Sequence, residues 1–77
     1  MQFRVTRSAR KHRIGNDRIT FVLERYDPIS VQGDVTVYVG FDNRGVELEI
    51  ATVPDDKHTG GQAVIHAMPR AYRRREG

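Results

Sequence analysis

From Val35 the chain alternates with a period of two, and no other feature constrains the fold as strongly. Val35, Val37, Val39 and Phe41 interleave with Thr36, Tyr38 and Gly40, the pattern of a half-buried strand. Asp42-Asn43-Arg44-Gly45 then supplies a tight reversal, with Gly45 suited to a positive φ. Beyond it Val46, Leu48 and Ile50 alternate with Glu47 and Glu49, so the second strand of this hairpin keeps one acidic face. Pro54 to Gly61 is a loop rich in chain breakers. Gln62 to about Met68 predicts a third strand, apolar on both faces and therefore central or covered. Pro69, which lacks an amide donor, marks its end.

Upstream of the hairpin, Gln2 to Val5 is extended in character and is a candidate edge strand. Thr6 or Ser8 offers a hydroxyl cap to a short helix through Ser8–Ile14, with Gly15 closing it in the left-handed conformation. Asn16 then caps a second helix running to about Tyr26. Its Ile19, Val22, Leu23 and Tyr26 fall at i, i+3, i+4 and i+7 and make one apolar stripe. Asp17 near the start and Arg25 near the end both suit the helix dipole, and Asp27-Pro28 stops the helix. The predicted fold is α+β: two N-terminal helices, preceded by a short edge strand, packed on a three- to four-stranded antiparallel sheet.

With 77 residues there is room for one core, so residues 1–77 read as a single domain with a basic tail from about residue 70. A chain this short buries only about 60% of its unfolded surface, which leaves a thin stability margin. It contains no cysteine, which excludes disulfides and thiolate metal sites and fits a reducing compartment. No apolar run approaches the roughly 20 residues of a membrane span, and the start lacks a signal-like apolar segment. The expectation is a cytoplasmic protein without membrane partners.

The formal charge of +3 is unevenly spread. Met1 to Arg25 holds seven basic and two acidic residues, a balance of +5. Tyr26 to Pro69 holds two basic and seven acidic residues, a balance of −5. Arg70 to Gly77 returns to +3, with four arginines and one glutamate. If the two ends meet in the fold they make one positive patch able to attract a polyanion; otherwise they are two solvated ends.

Three histidines are candidates for chemistry. His58 sits in the Gly- and Asp-rich loop and reads as a loop residue. His12, set among Arg10, Lys11 and Arg13, is either a surface histidine on a basic helix or an acid–base group near neutral pH. His66 ends the third strand beside Ile65 and is either a structural ring or a catalyst. No HxH or HxxxH spacing brings two ligands together, so no metal and no other cofactor is expected. Asp55-Asp56 reads as a solvated loop pair. Glu47 and Glu49 read as a wet sheet face, or as partners for Arg or Lys from the N-terminal segment or from an inhibitor. Arg70, Arg73, Arg74 and Arg75 with Tyr72 among them resemble a nucleic-acid footprint of guanidinium forks and a stacking ring. Cleavage of RNA by its own 2′-hydroxyl needs a proton acceptor, a proton donor and cations for the growing charge. Histidine, lysine, arginine and tyrosine can supply all of these.

Three stretches together, Ser8 to Arg25, Val37 to Val53 and "VIHAMPRAYRR" (Val64 to Arg74), resemble the toxins of bacterial type II toxin–antitoxin modules. The likeness is to the BrnT-like, actinobacterial-type small toxins of the RelE superfamily. It implies a RelE-like α+β fold and a metal-independent ribonuclease that inhibits translation. It also implies an antitoxin as protein partner and RNA, including messenger RNA on the ribosome, as target. By position Lys11 and His12 match its basic helix motif, and His66, Met68 and Arg70 its terminal-strand motif. The expected roles are acid–base work for His66 and His12, with Lys11, Arg70 and Arg73 binding phosphate and stabilising the transition state. Arg10, Arg13, Tyr72, Arg73 and Arg74 become the RNA-binding set, with Tyr72 stacking on a base or donating a hydrogen bond. One departure stands out: relatives carry Gly directly after the Lys-His pair, where this chain has Arg13-Ile14-Gly15. The rival reading is a non-enzymatic basic module that docks on RNA, the ribosome or a protein, in which losing arginines weakens binding in a graded, salt-dependent way.

Overall fold

The computed structural model describes residues 3–57 and 59–75, and the chain through them is mostly β. Strand β1 (Phe3–Val5) leads into a 3-10 turn (Ser8–Arg10) and helix α1 (Asn16–Arg25). Strands β2 (Ser30–Gln32), β3 (Val35–Phe41), β4 (Glu47–Pro54) and β5 (Gln62–Pro69) follow, and then a short helix α2 (Ala71–Arg75). The five strands form one sheet in the order β1-β5-β4-β3-β2. β1 runs parallel to β5, and the other neighbours are antiparallel. This overturns the expected architecture. There is one N-terminal helix rather than two, the sheet is mixed rather than antiparallel, and the RelE-like arrangement of two helices on an antiparallel sheet is not the one adopted.

The missing helix has a tertiary cause. Thr6 and Ser8 spend their hydroxyls on β5 instead of on a helix end: Thr6 Oγ1 donates to the Val64 carbonyl at 2.7 Å and Ser8 Oγ to that of Ile65 at 3.0 Å. The 3-10 turn has no side-chain cap, and a segment this short does not offset the cost of helix nucleation by itself. Arg13 ends the turn region in the left-handed conformation, at φ 57°. Gly15, to which that role was assigned, is extended (φ −66°, ψ 151°) and stands in the N-cap position of α1. Its carbonyl accepts from the amides of Arg18 and Ile19.

Arg13 thus holds a positive φ although it carries a Cβ. A left-handed conformation costs a residue with a Cβ about 1–2 kcal/mol, and glycine's freedom in the unfolded chain takes back about 0.4–1 kcal/mol. Arg13→Gly is therefore expected to stabilise the domain by about 0.5–1 kcal/mol, seen as a higher urea midpoint at unchanged slope. A lower midpoint would show that the Arg13 side chain makes a contact worth more than the strain.

α1 packs its Ile19, Val22 and Leu23 onto Tyr38, Leu48, Ile50, Val64 and Ala67 of the sheet. Tyr26 lies flat enough on Gly40 that a Cβ there would come within 2.4 Å of its ring. The hairpin forms where the alternation places it, but β3 presents the opposite face to the core. Asn43, Arg44 and Gly45 make a three-residue loop closed by Asp42 N–H donating to the Val46 carbonyl at 2.9 Å, with Gly45 at φ 78°. That loop sets Phe41 opposite Glu47, Val39 opposite Glu49, Gly40 opposite Leu48 and Tyr38 opposite Ile50. Opposed residues share a face, so the valine stripe of β3 lies with the glutamates of β4. Only one face goes under α1, and burying two carboxylates there would cost several kcal/mol each. Tyr38 and Gly40 are therefore buried, while Phe41 stays 52% exposed. β2 was not anticipated, because its three residues are too short for a period to register.

Candidate functional site

A β-bulge decides where His66 points. β4 and β5 pair Thr52 with Val64, then Ala51 with His66, Ile50 with Ala67 and Glu49 with Met68, leaving Ile65 as the extra residue. Strict alternation from the buried Val64 would put His66 on the same face, under α1. The inserted residue reverses the alternation, so Ala67 takes the core position and His66 turns to the open face beside Glu49.

The N-terminal segment and α2 complete the site. β1 stays paired with β5 only as far as Val5 and Val64. The 3-10 turn then runs beside the rest of β5, tied by the Thr6 and Ser8 hydroxyls and anchored by the buried Ala9. This carries Lys11 and His12 to β5. After Pro69 the chain is held by the Arg70 N–H donating to the Glu47 carbonyl at 2.9 Å, and α2 turns Tyr72 and Arg73 back over the same place. The His12 ring lies edge-on to His66, with centroids 6.5 Å apart, and edge-on to Tyr72 at 5.5 Å. Together with Ser8 and Met68, these side chains line a groove of about 270 Å³. The two basic ends of the chain do meet.

Glu49 stands beside this groove, bonded to two of the side chains that line it. His66 Nε2 is 3.1 Å from Glu49 Oε2. Arg73 donates from Nε to Oε1 at 2.8 Å and from one terminal nitrogen to Oε2 at 2.6 Å. The hydrogen bonds from Arg73 hold the Glu49 carboxyl below the usual carboxylate range; burial works the other way, and the charges of Arg73 and His66 add to the lowering. An ionised carboxylate only accepts, so Nε2 of His66 carries a proton and donates it, and in the neutral ring Nδ1 becomes the acceptor. An imidazole with one fixed tautomer facing a second imidazole is equipment for moving protons.

Of the residues singled out in the sequence, Lys11, His12, His66, Tyr72 and Arg73 come together in the groove. Arg10 and Arg13 are exposed on the turn region next to it but do not line it. Arg70 begins the turn into α2 and takes part through its backbone, its carbonyl accepting from the Arg73 N–H at 3.1 Å. The Arg74 side chain and His58 lie outside the described residues. The sequence leaves Glu49 on a wet face or opposite Arg or Lys of the N-terminal segment or of an inhibitor; its partners come instead from β5 and α2. The signal for it was present in the alternation of β4, since a glutamate on the open face of a central strand will meet whatever the neighbouring strand turns out of the core. Asp55 likewise is not solvated. Its side chain is buried and accepts a two-pronged pair from Arg4, at 3.0 and 3.1 Å, which ties β1 to the loop before β5.

A larger groove of about 410 Å³ lies at the C-terminal end of α1, among Tyr26, Tyr38, Phe3 and the carboxylates of Glu24 and Asp27. Among the described residues its lining holds no histidine, lysine or arginine, so the candidate acid–base residues gather at the smaller one. Among the described residues no three His, Cys, Asp or Glu side chains gather as a metal-binding set, and no helix is long and apolar enough to cross a membrane. Compared with models of protein families, with curated proteins and with solved structures, the chain finds no match.

Proposed function

We propose that this groove is the active site of a metal-independent endoribonuclease, the toxin of a type II toxin–antitoxin module. The observation that carries the reading is the edge-on approach of His12 and His66, residues 54 positions apart in the chain (66 minus 12), to 6.5 Å between ring centroids. In-line transfer at phosphorus places the attacking and leaving oxygens on opposite sides. It therefore needs an acceptor and a donor facing each other across one phosphate, each within about 3 Å of its oxygen. His66 Nδ1 takes the 2′-hydroxyl proton as that oxygen attacks phosphorus. His12, protonated, gives its proton to the departing 5′-oxygen, leaving a 2′,3′-cyclic phosphate and a 5′-hydroxyl. Lys11 and Arg73 supply positive charge for the phosphorane, and Tyr72 offers a ring face or a hydroxyl to the neighbouring base. The resemblance of "VIHAMPRAYRR" to the small toxins supports the same reading, because its His66, Tyr72 and Arg73 are residues that the groove assembles. An antitoxin that neutralises the protein would cover this basic groove with carboxylates.

The test combines expression in a bacterial host with cleavage by the purified protein. Expected are growth arrest, fragmented cellular RNA, fragments ending in 2′,3′-cyclic phosphate, and no cut where the nucleotide 5′ to the scissile bond is 2′-deoxy. Growth arrest with intact RNA would overturn the nuclease in favour of a binding module. Purified protein inert on every RNA, with no arrest, would remove the toxin reading altogether.

A further inference from the structure

We infer that Glu49 is the positioning residue of this site: its carboxylate, clamped by Arg73, fixes the tautomer and orientation of His66. The inference rests on the ribonuclease reading for its kinetic part and on geometry alone for the rest. Three elements converge on this one side chain. β4 supplies the carboxylate, the bulge in β5 supplies the imidazole at 3.1 Å, and α2 supplies a guanidinium with contacts of 2.8 and 2.6 Å. Glu49 retains only 13% of its side-chain exposure, against 60% for Arg73 and 34% for His66. The carboxylate is thus the sheltered member between two groups that reach solvent.

The arrangement is economical in its directions. A two-pronged guanidinium–carboxylate pair has one good geometry, so Arg73 sets the plane of the Glu49 carboxylate. With that plane set, Oε2 presents an acceptor to His66 in one direction, and Nε2–H has to point there. Nδ1 is then left as the proton acceptor, as in sites where a buried carboxylate holds a catalytic imidazole in its working tautomer. Arg73 contributes through Glu49 as well as through its charge, which joins the docking of α2 to the alignment of a ring on β5. Among the described residues no carboxylate lines this groove, so none there would replace Glu49.

Glu49→Gln, nearly the same in shape, tests the inference through two readouts. The first is ¹⁵N NMR of the His66 ring in the protein without RNA. The wild type is expected to show one tautomer with the proton on Nε2, and the variant a mixture. The second is steady-state cleavage of a short single-stranded oligoribonucleotide, where kcat is expected to fall about 10²-fold or more while KM stays within about twofold. Should Glu49→Gln fold poorly, Arg73→Gln changes only an exposed side chain and is expected to loosen the same tautomer preference. A wild-type ring that is already a mixture, or one unchanged in both variants, overturns the inference, as does an unchanged kcat. If the tautomer responds but wild-type protein cleaves no RNA, the ribonuclease reading falls and the positioning of His66 by Glu49 stands.

Discussion

His66→Ala is expected to lower RNA cleavage by about 10²–10⁴-fold, the usual share of a general acid or base, and to abolish growth arrest at equal soluble protein. Its stability cost is expected to stay within about 1 kcal/mol, because the bulge has already taken the ring out of the core. Ala67, not His66, belongs to the buried core, and Glu49 keeps the two-pronged Arg73 pair when the ring is gone. Loss of cleavage at an unchanged thermal midpoint separates a catalytic ring from a structural one. A collapse of the midpoint would return His66 to a structural role, and full toxicity in a folded variant would end its catalytic assignment. His12→Ala should give a loss of the same order through the other proton, again with little change in stability, since its ring is only partly buried.

The second large effect concerns the turn of the hairpin. Asp42 is buried at 4% exposure and serves three donors. Oδ1 accepts from the amides of Arg44 at 2.8 Å and Val46 at 2.9 Å, and Oδ2 from Arg18 Nε at 2.6 Å. Asp42→Ala leaves these donors unanswered and an arginine on α1 without its carboxylate. Breaking a buried pair from one side costs about 3–5 kcal/mol; the lower end applies here, because Arg18 keeps some access to water. A domain of this length has only about 4–12 kcal/mol of stability in total, so the variant should lose a quarter of it or more. A loss below about 1 kcal/mol in urea denaturation would mean that the turn is held by its backbone alone.

The same carboxylate gives the pH dependence its sign. Burial pushes Asp42 up, but the Val46 amide, Arg18 and the Arg44 amide outweigh it, and the folded-state value lies below the ordinary one. Glu49 is lowered as well. A carboxyl lowered by folding stabilises the native state fully above its unfolded pKa of about 4, and that stability is lost as pH falls through the folded value. Unfolding free energy should therefore be level above about pH 5 and decline below it. Asp42→Asn should be less stable at neutral pH with a shallower acid decline. An acid limb of equal steepness would assign the dependence to other groups.

The hairpin, β5 and α1 could be read because their signals are local, whereas the overall architecture could not. The hairpin follows from alternation plus a turn that glycine can close, and α1 from a stripe of Ile19, Val22 and Leu23. The errors share one origin. Whether Ser8–Ile14 is helical depends on where two hydroxyls find acceptors, and the carbonyls of Val64 and Ile65 lie more than fifty residues away. The direction of β1 depends on its neighbour in the sheet, which no short-range pattern encodes. The histidines, Lys11, Tyr72 and Arg73 could be singled out by residue chemistry, and the alternation of β4 put Glu49 on the open face, but its partners come from the strand paired beside it and from α2.

The amino-acid sequence by itself determined the strands of the hairpin and of β5, the principal helix, the segregation of charge and the stock of acid–base groups. Each is a property of neighbours along the chain. Only the tertiary structure decided which face of β3 is core, that one bulged residue turns His66 out of it, and that both basic ends close on one groove around Glu49. Those outcomes depend on strand register and on the cost of burying carboxylates, which the chain meets only when distant segments compete for the same face.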